Sequence, residues 1–112
     1  MPEIVPIEIG KSKKNDPLES SRTKRILDYL NAIPGCKAAK RHQSGWNNKG
    51  DADIFGCIKG KHFELEVKKP TKKLTLLQLT KIKEWDLVGA ITGRVEGIDD
   101  VRMIFRKHGY DI

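Results

Sequence analysis

The stretch that most narrows the fold is residues 52 to 68: an apolar-rich run from Ala52 to Ile58, a Lys59-Gly60 pair, and strict alternation from His62 to Lys68. Alternation at period two is a strand, and two strands joined by a two-residue turn are a hairpin. In the second strand Phe63, Leu65 and Val67 take one face, and Glu64, Glu66 and Lys68 the other. Three charges on one sheet surface are either a solvated face or a site. A helix then starts at Thr75, with Gln78 three residues on and Leu79, Ile82, Trp85 and Val88 at helical spacing until Gly89. The segment AITGRV, 90–95, is a further strand, so 62–68, 75–88 and 90–95 form a crossover unit with parallel strands.

Upstream, residues 1–15 read as an arm with a short strand from Ile4 to Ile9 and the basic residues Lys11, Lys13 and Lys14. A helix follows, with Asp16 as N-cap, Pro17 in its first position, Glu19 in its first turn and Pro34-Gly35 as terminator. Leu18, Ile26, Leu27 and Leu30 make its buried stripe. Residues 36–50 begin as a short strand and become a polar, basic loop. Residues 97–109 form a third helix, acids early and bases late, as the helix dipole prefers. The order implies one α/β domain, 16–112, with a small central mixed sheet flanked by helices.

The chain is 112 residues long with a formal net charge of +7, enough for one core and not for two. That basicity favours a polyanionic partner, nucleic acid or an anionic membrane surface. No apolar run reaches the length of a membrane span, and the N-terminus lacks a basic segment leading into an apolar one. Cys36 and Cys57 form no CxxC pair, so a reducing cytoplasm, the cell's own or that of a phage's host, is the expected compartment.

A hairpin centred on residues 59 and 60 sets Glu66 opposite residue 53. Asp53 and Glu66 then lie within reach of one ion, which suits a hard divalent cation that takes oxygen ligands and keeps several waters. Lys68, two residues on along the same face, would approach a scissile phosphate or an attacking water as a point charge. That is an arrangement for hydrolysing phosphodiesters.

The segments GDADIFG, ELEVK and LTLLQLTKIKEW together resemble the PD-(D/E)xK nuclease superfamily, and specifically its VRR-NUC domains, with similarity also to archaeal Holliday junction resolvases. The resemblance runs from about Glu19 to Val95 and implies a restriction-endonuclease-like fold. Residue by residue, it implies Asp53 and Glu66 as ligands of Mg²⁺ or Mn²⁺, with the Val67 carbonyl as a further ligand. It further implies Lys68 as the catalytic lysine, Gln78 as the motif glutamine and Glu19 as the helical glutamate that completes the metal site. Arg41 and Ser44-Gly45 match the basic residue and Ser-Gly pair that precede the aspartate. Ala52 stands where the pattern has proline, a backbone difference that removes no ligand. A homodimer is implied as well.

The chain is therefore expected to be a Mg²⁺- or Mn²⁺-dependent endodeoxyribonuclease, with selectivity for branched or flapped DNA left open. Lys40, Arg41 and Lys49 would seat phosphates and Ser44 would lie beside them. Trp46 would either stack on a base or sugar or pack locally. The alternative is a nucleic-acid-binding module on the same fold without catalysis; a toxin-like RNase would dispense with the acidic pair. Bland readings stand beside several residues: cross-strand salt bridges for the charged face, a turn for Asp51, dipole stabilisation for Glu19 and a capping box for Gln78. Glu64 is expected to form a salt bridge or support the ligands. Trp85 is expected to pack, and the spacing of His42, His62, Cys36 and Cys57 matches no common zinc site.

Overall fold

The structure, a computed structural model, describes residues 17–42 and 49–112. The arm at 1–15, Asp16, Ser44, Gly45 and Trp46 lie outside the described residues, as does the side chain of Leu18. The elements are α1 (Pro17–Asn31), β1 (Cys36–Lys40), β2 (Ile54–Ile58), β3 (Lys61–Val67), α2 (Leu76–Leu87), β4 (Ile91–Val95) and α3 (Ile98–Lys107). They build one four-stranded mixed sheet in the order β1-β2-β3-β4.

The hairpin turns on Lys59 and Gly60, both at positive φ (48° and 87°), as a two-residue turn matched to strand twist requires. Ile58 opposes Lys61, Phe55 opposes Glu64 and Ile54 opposes Leu65. One step further along that register lie Asp53 and Glu66. β3 and β4 are parallel, with Glu66 beside Arg94, and α2 is their crossover. β1 adds an antiparallel edge on β2. The Asn31 side chain, from the last turn of α1, donates to the Ala38 carbonyl at 3.0 Å and accepts the Ala38 N–H at 2.8 Å. Its amide thus occupies main-chain groups that an edge strand would otherwise offer to another chain.

The core lies on the side of the sheet where Ile54, Ile58, Phe63, Leu65, Val67, Ile91 and Val95 meet Ile26 and Leu30 of α1 and Val101 and Phe105 of α3. Phe63 and Phe105 meet edge to face, centroids 5.2 Å apart, the geometry aromatic quadrupoles prefer. Asp100 anchors the start of α3 by accepting the Glu96 N–H at 2.8 Å. The opposite side of β3 is covered too: Glu64 is 0% and Glu66 3% exposed. This face is not solvated.

α2 supplies the cover, but incompletely. Of its apolar positions only Ile82 is buried, while Leu76 is 80% and Leu87 85% exposed, and Val88, just past its end, is exposed as well. Helical spacing showed the stripe but not how much of it the sheet would meet. Trp85 packs on His62 with ring centroids 4.5 Å apart. Gly50, at φ 84°, comes so close to α2 that an added Cβ would sit 2.5 Å from Leu77 Cγ. Asp51 pairs with Lys81 of α2 at 3.2 Å. No helix among the described residues is long and apolar enough to cross a membrane.

Candidate active site

β3 delivers Glu66 to the covered face, and the residue just before β2 delivers Asp53 to the same place. The Asp53 Oδ2 accepts the Val67 N–H at 3.0 Å, so the aspartate is fixed by the main chain of the strand that carries Glu66. Burial, first, and then the neighbouring Asp53 charge push the Glu66 carboxyl up to about 9; Lys68 opposes the shift, and Glu19 adds to it. The first-turn glutamate of α1 is therefore electrically part of this site. Two carboxylates this close cannot both ionise cheaply without a cation between them.

Glu66 Oε2 accepts from Gln78 Nε2 at 3.1 Å and lies 3.9 Å from Lys68 Nζ. Its other oxygen, Oε1, is buried without a hydrogen-bond partner. An acceptor left bare beside a second carboxylate is where a proton or a metal ion belongs. Among the described residues no three carboxylate, imidazole or thiol groups assemble into a ready ligand cage. The donor set is Asp53 and Glu66, two hard oxygen ligands, and that suits Mg²⁺ or Mn²⁺ with water filling the remaining positions better than zinc, which prefers nitrogen and sulfur.

Gln78 serves two purposes at once. Its Oε1 accepts the Thr75 N–H at 2.9 Å while its own N–H donates to Thr75 Oγ1 at 3.1 Å, a complete capping box. Its Nε2 remains for Glu66. Helix start and site contact share one amide.

The salt bridge expected of Glu64 is present, and its partner is Arg41, a residue the sequence alone assigns to a phosphate. Arg41 Nη1 and Nη2 donate to the two oxygens of Glu64 at 2.6 and 2.9 Å, Nη1 also donates to the Ala52 carbonyl at 3.2 Å, and the guanidinium lies 4.7 Å over the Phe55 ring. His62 Nε2 lies 2.6 Å from Glu64 Oε2; a carboxylate offers only acceptors, so this contact selects the ring with its proton on Nε2. The Arg41 donors are thus turned inward, whereas Lys40 and Lys49 remain exposed at the strand end and in the turn. Sequence reading missed the role of Arg94: its guanidinium donates to the Lys69 and Lys72 carbonyls and to Glu96, tying down the segment that follows Lys68. The register with Glu66 was the signal for it.

The sequence matches no protein-family model, and no curated protein matches it. A solved structure titled "VRR_NUC domain" superposes with a TM-score of 0.67 at 22% sequence identity, over 83% of this chain and 98% of that one. The likeness establishes the fold: four mixed strands between helices, arranged as in a VRR-NUC domain.

Proposed function

We propose that this chain, with the VRR-NUC fold and its two carboxylates and lysine in place, is a metal-dependent nuclease that hydrolyses phosphodiester bonds in DNA. The observation that carries the proposal is the bare, buried Oε1 of Glu66 beside Asp53, on a carboxyl pushed up to about 9. A module that only bound nucleic acid would gain nothing from a buried acidic pair, which destabilises the fold and repels phosphate. Asp53 and Glu66 would hold Mg²⁺ or Mn²⁺, with the Val67 carbonyl and Glu19 at its margin. Bound there, the ion would polarise the scissile phosphate and lower the pKa of water.

The chain's own groups do the rest. Lys68, 3.9 Å from Glu66 Oε2, is close enough to orient an attacking water and offset charge that develops on the phosphate in the transition state. Gln78 fixes the rotamer of Glu66. Lys40 and Lys49, with Ser44 beside them, would contact the DNA backbone, favoured by the net charge of +7, and Trp46 would stack on a base or sugar. A homodimer fits the apolar side chains that α2 leaves exposed, Leu76 and Leu87 among them, and light scattering across concentration tests it. Such a dimer would bring two sites to a duplex, flap or junction.

The test is cleavage of labelled linear, flapped, four-way and supercoiled DNA in Mg²⁺, Mn²⁺ or EDTA, beside Glu66→Ala and Lys68→Ala. Cleavage that needs metal and is lost in both variants supports the proposal. Cleavage that persists in EDTA, or survives both substitutions, refutes the mechanism, and binding without cleavage favours a non-catalytic module.

A further inference from the structure

We infer that Arg41 is a positioning residue for Asp53, held in that role by Glu64, and that it is not a phosphate contact. The inference rests on the proposed metal site. Its basis is a chain of contacts running from a buried charge to the ligand. Glu64 is fully buried, and an uncompensated carboxylate there is costly, so its bidentate pairing at 2.6 and 2.9 Å locks the guanidinium in one orientation. In that orientation Nη1 also reaches the Ala52 carbonyl at 3.2 Å, and the Arg41 main-chain N–H donates to the Asp53 carbonyl at 2.7 Å.

The two carbonyls that Arg41 holds flank the Cα of Asp53. Beyond the end of β2 these bonds extend the pairing of β1 onto the segment that carries the carboxylate, where Val67 N–H meets Oδ2 at 3.0 Å. Asp53 is thereby gripped from the β1 side through its main chain and from the β3 side through its carboxylate. His62, 2.6 Å from Glu64 and packed at a tilt against Trp85, closes the outer end of the pair. A guanidinium over Phe55 with three of its five N–H donors on Glu64 and Ala52 keeps only Nε–H and one Nη2 hydrogen for a phosphate. The fork geometry is specific to arginine, since a lysine ammonium is a point donor and cannot hold both Glu64 oxygens and a carbonyl in one plane.

The experiment measures Mn²⁺ binding to DNA-free protein by calorimetry, and DNA affinity in EDTA across a salt series. It compares wild type, Arg41→Lys, the paired Arg41→Met/Glu64→Met and, as reference, Glu66→Gln. The paired variant leaves no orphaned buried charge, and Arg41→Lys keeps the charge, so one tests the inference if the other does not fold. The expected result is Mn²⁺ affinity roughly 10-fold or more weaker in both, as loss of a supporting contact typically gives, with DNA affinity in EDTA and its salt slope unchanged. Wild-type Mn²⁺ affinity in the folded variants, with Glu66→Gln impaired, overturns the inference and leaves the metal site standing. If the paired variant also lowers the salt slope by about one, Arg41 contacts a phosphate. Wild-type Mn²⁺ binding by Glu66→Gln would instead mean that the metal site itself is misassigned, and the inference falls with it.

Discussion

Replacing Glu66 by glutamine should stabilise the metal-free protein while abolishing its chemistry. In the native state the Glu66 carboxyl is pushed up to about 9 from an ordinary 4.5, by burial first and by Asp53 second. Between those values the native state holds a proton that the unfolded chain has released. The unfolded state then binds fewer protons, so stability falls as pH rises from about 4.5 and levels off above about 9. At pH 7 the gap is about 2.5 pH units, worth about 3 kcal/mol at roughly 1.4 kcal/mol per unit. Glutamine is neutral throughout; its amide group can donate toward Asp53, and its oxygen can still accept from Gln78. Urea unfolding in EDTA should therefore find Glu66→Gln more stable than wild type by up to about 3 kcal/mol at pH 7, the difference shrinking toward zero near pH 4.5. A variant destabilised by the same amount at every pH would mean that Glu66 carries no ionisation strain for a cation to relieve.

Lys68→Ala should lower cleavage by about 10²- to 10³-fold, as loss of a transition-state donor does, while Mn²⁺ affinity holds or rises because a positive charge has left the site; calorimetry and single-turnover rates check the two halves. Thr75→Ala removes the cap alone and should cost about 1 kcal/mol without changing cleavage, whereas Gln78→Ala also takes the donor from Glu66 and should lower cleavage as well. Equal cleavage in those two variants would deny Gln78 a part in the site. Asn31→Ala should cost about 1 to 2 kcal/mol by urea unfolding and promote self-association through the freed edge of β1, seen by sedimentation.

Much of the fold was legible because a single dipeptide sets it. Lys59-Gly60 fixes the hairpin centre, and the pairing of Phe55 with Glu64 then brings Asp53 beside Glu66 from sequence spacing alone. The parallel pairing of β3 and β4 followed from the helical segment between them. Alternation says which residues share a face, and not whether that face is covered. For that reason Glu64 read as a salt bridge or a support to the ligands with no partner named, when Arg41, 23 residues earlier, meets it bidentately. The same gap hid how much of α2 stays exposed, since the periodicity of Leu79, Ile82 and Trp85 is the same whether a sheet covers the stripe or only its middle. The capping box of Gln78 was legible from its spacing to Thr75, whereas its contact with Glu66 was not, because that contact uses the other end of the same amide and depends on how α2 packs on β3.

Mn²⁺ titration with cleavage followed in the same samples decides whether Asp53 and Glu66 form a metal site that cleaves DNA. Wild type should bind Mn²⁺, Glu66→Gln should not, and the cleavage rate should follow occupancy. Equal Mn²⁺ binding by wild type and Glu66→Gln, or cleavage undiminished in EDTA, would rule that site out.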